Sequence, residues 1–142
     1  MGINILVVDD STVMRSMINK VLGMTGISIG DVRQANNGRE GLAVLEEHWI
    51  DLVIADINMP VMNGEEMIDQ IREKPEFGRL PIIVISTEGS RRRIDRLTGK
   101  GVHFIHKPFS PEKIRDAILE VTGLEVEERE NDDFSELDDD SF

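Results

Sequence analysis

Apolar residues recur along the chain in two alternating rhythms. Ile3-Asn4-Ile5-Leu6-Val7-Val8 is a short, β-branched run of the kind a strand buried on both faces carries. Val13, Met14, Met17, Ile18, Val21 and Leu22 follow at helical spacing and predict an inward helical face, with Gly23 or Gly26 to end it. Residues 31–35 read as a weak second strand. Asn37-Gly38 then turns into a helix carrying Leu42 and Leu45. Trp49, near the end of that helix, reads as a packing residue. Residues 51–56 predict a third strand and residues 64–72 a third helix with Met67, Ile68 and Ile71 inward. Residues 81–86 give the fourth strand, and Ser90 can cap the helix after it. Residues 102–106 give the fifth strand. Ser110-Pro111-Glu112 has the N-cap, first-position proline and first-turn acid that open a last helix, lined by Ile114, Ile118 and Val121.

Five strands alternating with five helices predict an α/β fold, a doubly wound parallel sheet of flavodoxin-like order 2-1-3-4-5 with helices on both faces. The length of 142 residues suits one core. Charge divides the chain in two. The net charge is −12, yet residues 124–142 hold ten acids and one base, Arg129. Residues 1–123 are nearly balanced, with 18 acids against 15 bases. A single compact domain at 1–123 is therefore expected to precede an acidic, disordered tail at 124–142. The balance disfavours nucleic-acid binding, which needs cationic contacts to phosphate. Cysteine is absent, and no secretory leader or apolar run of membrane-spanning length is evident, so a cytoplasmic protein without membrane contact is expected.

In open α/β sheets ligands bind beyond the carboxyl ends of the strands. Strand 1 ends in Asp9-Asp10, strand 3 in Asp56, strand 4 in Ser86-Thr87, and strand 5 runs into Lys107-Pro108. Taken singly, these are ordinary residues: a capping pair, a strand-end hydroxyl, a surface lysine. Together they bring three carboxylates, a hydroxyl and an ammonium to one edge. Clustered carboxylates repel unless a cation neutralises them, and an all-oxygen set with room for water suits Mg²⁺. His103 and His106 on strand 5 are not preferred ligands for that ion. Asp56 can act as a nucleophile toward phosphorus, with Lys107 as a point charge and Ser86 as a hydrogen-bond donor to a phosphoryl oxygen.

The run Ile5-Leu6-Val7-Val8-Asp9-Asp10-Ser11, the Asp56 segment with Met59-Pro60 and Gly64, Ser86 on strand 4, and Lys107-Pro108-Phe109 together resemble the response-regulator receiver family. The likeness spans about residues 3–122. It implies that a histidine kinase phosphorylates Asp56, and that Asp9, Asp10, Asp56 and the Asn58 backbone carbonyl bind Mg²⁺, partly through water. It also implies a cis Lys107-Pro108 bond and a switch in which Ser86 and an aromatic on strand 5 rearrange together. Within the family the chain is most similar to the single-domain chemotaxis regulators. Asn58 and Glu88 match the pair that tunes autodephosphorylation in those proteins. Phe104 stands where they usually carry tyrosine, which makes the switch steric rather than polar.

The resemblance implies a signalling switch rather than a metabolic enzyme. Its expected partners are a kinase, a motor-switch or other effector protein, and an aspartyl-phosphate phosphatase. A phosphorelay shuttle, a phosphate sink, or a regulator of a separate effector is the alternative. Haloacid-dehalogenase-type hydrolases also use an aspartyl nucleophile, but with a second Asp two residues on. A flavodoxin-like cofactor binder would need a first loop that accepts phosphate, which Asp9-Asp10 repels. Arg91, Arg92, Arg93, Arg96 and Lys100 crowd the fourth helix; a solvated face is the plain reading. Docking through Arg92, Arg96, Lys100 and Phe104 is the functional one. The acidic tail can fold back on that helix, dock another protein, or only solubilise.

Overall fold

The computed structural model describes residues 2–124. The expectations placed on the acidic tail lie outside the described residues. Five strands, β1 (Ile3–Val8), β2 (Ile29–Ala35), β3 (Leu52–Ala55), β4 (Ile82–Ser86) and β5 (His103–His106), form one parallel sheet in the order β2-β1-β3-β4-β5. The helices α1 (Thr12–Leu22), α2 (Gly38–Glu47), α3 (Gly64–Glu73), α4 (Arg91–Thr98) and α5 (Pro111–Thr122) alternate with them. The fold and strand order are those the hydrophobic pattern predicts. The differences are small: β2 begins two residues earlier than the sequence suggests, and a 3-10 turn at Pro75–Phe77 was not foreseen.

Alternation along the strands divides the core into two layers. Leu6, Val8, Val53 and Val84 face one layer with Met67, Ile68 and Ile71 of α3. Ile5, Val7, Ile54 and Ile85 face the other with Ile18 and Leu22 of α1 and Ile114 and Ile118 of α5. Both faces of the central strands are covered, which is why those strands read as unbroken apolar runs.

Side-chain caps mark the helix starts. Ser11, Asn37, Asn63, Ser90 and Ser110 each accept a backbone N–H from three residues on. Asn63 and Glu66 cap each other's backbone in a reciprocal box. Arg72 fastens the far end of α3. Its guanidinium donates to the carbonyls of Phe77, Leu80, Lys100 and Gly101, at 2.8 to 3.3 Å. Burial there pushes its pKa down.

Two expectations fail. Val13 and Met17 are exposed, at 72% and 47%, rather than inward. The 11-residue α1 has only Ile18 and Leu22 fully buried, so its inward stripe is narrower than its apolar face. Trp49 is 78% exposed and does not pack into the core. α2 stops at Glu47, and His48 turns to extended backbone, φ −136° and ψ 148°. The indole is thereby carried outward, where its Nε1 donates to Asp51 Oδ1 at 2.8 Å.

Candidate functional site

The acidic centre lies where β1 and β3 end side by side. Val8 pairs with Ala55, so the residues that follow, Asp9 and Asp56, leave adjacent strands at the same level. Asp56 N–H donates to Val8 O at 3.0 Å, which fixes that level across the strand ends. Carboxylate oxygens of Asp9, Asp10 and Asp56 lie within 4.8 Å of one another. Asp9 is buried and Asp10 exposed, with Asp56 between them in accessibility. Burial pushes the Asp9 carboxyl above its ordinary pKa; the Ser11 backbone N–H opposes this, and the Asp56 charge adds to it. A buried carboxyl beside a second carboxylate resists ionising on both counts, burial being the larger. All three donors are hard oxygens, the set that Mg²⁺ prefers.

A lysine brings positive charge to the Asp56 carboxylate. Lys107 Nζ stands 3.9 Å from Asp56 Oδ2, from the end of β5. The Lys107-Pro108 peptide bond is cis. The other oxygen of Asp56, Oδ1, accepts the Ile57 N–H at 2.7 Å. Ser86 is wholly buried at the end of β4, and its Oγ accepts the Glu88 N–H at 3.1 Å. Asn58, by contrast, is exposed on the loop after Asp56.

The loop from Asp56 to α3 is tightly built. Gly64 N–H donates to Ile57 O at 2.7 Å. A Cβ at Gly64 would run into the Asp56 carbonyl oxygen and come within 2.9 Å of Ile57 Cα, so only glycine fits beneath Asp56. Between them Val61 occupies the left-handed region at φ 68°. Met62 N–H closes a γ-turn there on Pro60 O at 2.7 Å.

Several contributors escape reading from sequence. Arg15 donates to the Asp9 carbonyl at 2.6 Å and to Gln34 Oε1 at 2.8 Å, tying α1 and β2 to the acidic loop. Nothing in the local pattern marks it. Arg93 Nη1 holds Glu88 Oε1 at 3.0 Å, while Glu88 Oε2 accepts the Ser90 N–H. Arg96 of α4 and Lys100, in the turn after it, are not free: both pair with Glu65 of α3, at 2.6 and 3.2 Å, and Lys100 also pairs with Asp69. Arg91 and Arg92 stay exposed. Phe104 is half-buried on β5, its ring edge-on to His106 with centroids 4.9 Å apart.

Residues 5–119 match the family model for the response regulator receiver domain. The chain belongs to the response-regulator receiver family. It is 35% identical over 121 residues to a chemotaxis protein CheY homolog of Campylobacter jejuni, covering 84% of this chain and 92% of that one. It is 36% identical to the chemotaxis protein CheY1 of Helicobacter pylori, covering 84% and 96%. Among solved structures it is similar to the chemotaxis response regulator CheY4 of Vibrio cholerae, with a TM-score of 0.75 and 32% identity, covering 85% of this chain and 99% of that one. A CheY-like receiver domain protein of Methanospirillum hungatei superposes with a TM-score of 0.76 at 25% identity, covering 87% and 95%. A receiver domain of the CheY type fits a two-component signalling switch, a signalling protein rather than a metabolic enzyme. No helix among the described residues is long and apolar enough to cross a membrane.

Proposed function

We propose that this receiver accepts a phosphoryl group from a histidine kinase on Asp56 and thereby changes which effector it binds. The convergence of the Asp9, Asp10 and Asp56 oxygens, with Lys107 beside Asp56, carries this reading. An Asp56 oxygen attacks phosphorus as the bond to the donor's nitrogen breaks. Lys107 faces the negative charge that gathers on the phosphoryl oxygens. Asp9, Asp10, Asp56 and the Asn58 backbone carbonyl are the groups that would hold Mg²⁺. The ion would supply charge neutralisation between the carboxylates and the incoming phosphoryl group.

The phosphorylated state is read through Ser86. Its Oγ accepts the Glu88 N–H and keeps its own proton to donate, and a shift of the side chain toward a phosphoryl oxygen would draw it away from Glu88. That frees the loop between β4 and α4. A groove of about 520 Å³ between α4 and β5, bounded by Gly89, Ile94 and Phe104, gives the ring somewhere to move. Phe104 lacks a hydroxyl, so this movement alters shape and leaves no new polar partner. Asn58 and Glu88 are proposed to tune the lifetime of the acyl-phosphate. Of the α4 residues, Arg92 is the open contact for a partner, with Phe104; Arg96 and Lys100 contribute only if Glu65 and Asp69 release them. The relatives' names favour chemotaxis as the output, through a motor-switch protein. Residues 1–123 form the switch in this reading, and residues 124–142 a separate acidic segment.

Intact mass after treatment with acetyl phosphate tests the central step. A phosphoryl adduct that needs Mg²⁺ and is missing from Asp56→Asn is expected. No adduct, under conditions that trap short-lived acyl-phosphates, would leave a receiver that works by binding alone.

A further inference from the structure

At the opposite end of the sheet from Asp56, a groove of about 460 Å³ opens between the end of α2, the start of β3 and the 3-10 turn. Asp51 and Asp56 bracket β3, roughly 17 Å of extended chain apart. The floor is apolar, with Phe77, Leu80 and Pro81, and Trp49 stands at the wall. The indole is 78% exposed, yet its orientation is fixed by the bond from Nε1 to Asp51. An oriented, uncovered tryptophan over an apolar floor is the kind of residue that dominates binding energy at interfaces.

The rim decides what can sit there. Among the described residues, four carboxylates line the groove, Glu46, Glu47, Asp51 and Glu76, and no lysine or arginine does. Lys74 neutralises Glu46 from outside at 3.2 Å. Asp51 is committed to the Asn4 N–H and to Trp49. Glu47 and Glu76 remain open to solvent at the mouth. An indole face beside open carboxylates favours guanidinium and ammonium groups, through cation–π contact and through charge. The same charges disfavour the chain's own acidic tail as the occupant.

We propose that this groove anchors a cationic segment of a partner protein, one that lays an aliphatic side chain on Phe77 and Leu80 and a guanidinium against Trp49 and Glu47 or Glu76. Lying away from the acidic centre, the anchor holds its partner whether or not Asp56 is phosphorylated. A receiver so equipped has a constant tether at one end and a switched surface at the other.

The chain has one tryptophan and no tyrosine, so its emission reports on the groove directly. The probe is a synthetic peptide of alternating arginine and leucine, titrated into the full chain, with a glutamate–leucine peptide as control. Only the cationic peptide should shift the emission saturably. The shift should weaken about tenfold in Glu47→Gln/Glu76→Gln and be the same with and without acetyl phosphate in the presence of Mg²⁺. Calorimetry with Trp49→Ala separates the groove from the acidic tail, and affinity should fall about tenfold or more. These side chains are exposed, and an unchanged melting temperature checks that the variants fold. Emission that does not respond, or calorimetric affinity that both variants leave intact, overturns the proposal and assigns the peptide to the tail. So does sedimentation showing a dimer that Trp49→Ala dissolves, because a second copy would then cover the groove.

Discussion

Val61 concentrates the strain of the acidic loop in one residue. A β-branched side chain at φ 68° crowds its own backbone, a cost of about 1–3 kcal/mol that glycine escapes. The valine itself is 71% exposed and adds little packing in return. Val61→Gly is therefore expected to stabilise the fold by about 1 kcal/mol, after allowing for the greater freedom of glycine in the unfolded chain. Urea unfolding measures it; a fall in the midpoint would mean that valine is at ease in the turn. Asp9 makes the complementary point, because its raised pKa arises first from burial and then from the Asp56 charge, neither of which a local pattern reveals. The acids at 9, 10 and 56 are legible as a group only because each terminates a readable strand.

A charge cluster links α3 to α4 and the turn after it. Glu65 receives Arg96 and Lys100 directly, with Arg93 at 3.8 Å, and Arg93 passes on to Glu88 beside Ser86. The bond from Arg96, then that from Lys100, holds the Glu65 carboxyl down to about 2 against an ordinary 4.5. Because its folded-state pKa is depressed, Glu65 contributes stability fully above its unfolded value. That contribution fades as the pH falls from about 4.5 toward 2. Glu65→Gln should thus lower stability at neutral pH by no more than about 1 kcal/mol, since the cluster borders solvent. The gap between variant and wild type should close in acid. Denaturant midpoints at both pH values decide it, and a gap that widens in acid would refute the pairing. The five basic residues from Arg91 to Lys100 read from sequence as a solvated face or a docking face. Their partial use as a clasp to α3 depends on Glu65 and Asp69, about 30 positions earlier, falling opposite.

For the whole molecule the acidic centre gathers three carboxylates, and the proposed Mg²⁺ would relieve their repulsion. A ligand that binds only the folded state raises stability with concentration, by about 2.7 kcal/mol at a hundredfold excess over Kd. Mg²⁺ should raise the melting temperature of the wild-type chain. Asp10→Asn, which removes the exposed member of the trio, should melt higher without the ion and lose most of the rise with it. Equal responses in the two proteins would remove Asp10 from the binding set. The two ends of the sheet differ in kind. One gathers charge for chemistry, while the other leaves a tryptophan uncovered.

The sequence by itself determined the element order, the parallel sheet and the strand ends at which Asp9, Asp10, Asp56, Ser86 and Lys107 stand. Apolar runs, helical spacing and caps are local, and strand direction then fixes which end each residue occupies. The tertiary structure alone decided that Val13, Met17 and Trp49 face outward and that Arg96 and Lys100 are clasped by α3. It also decided that Arg15 and Arg93 support the acidic loop and Glu88. Those outcomes depend on which distant surfaces meet. An apolar residue is buried only where another element comes to cover it, and a charge is paired only where an opposite one arrives.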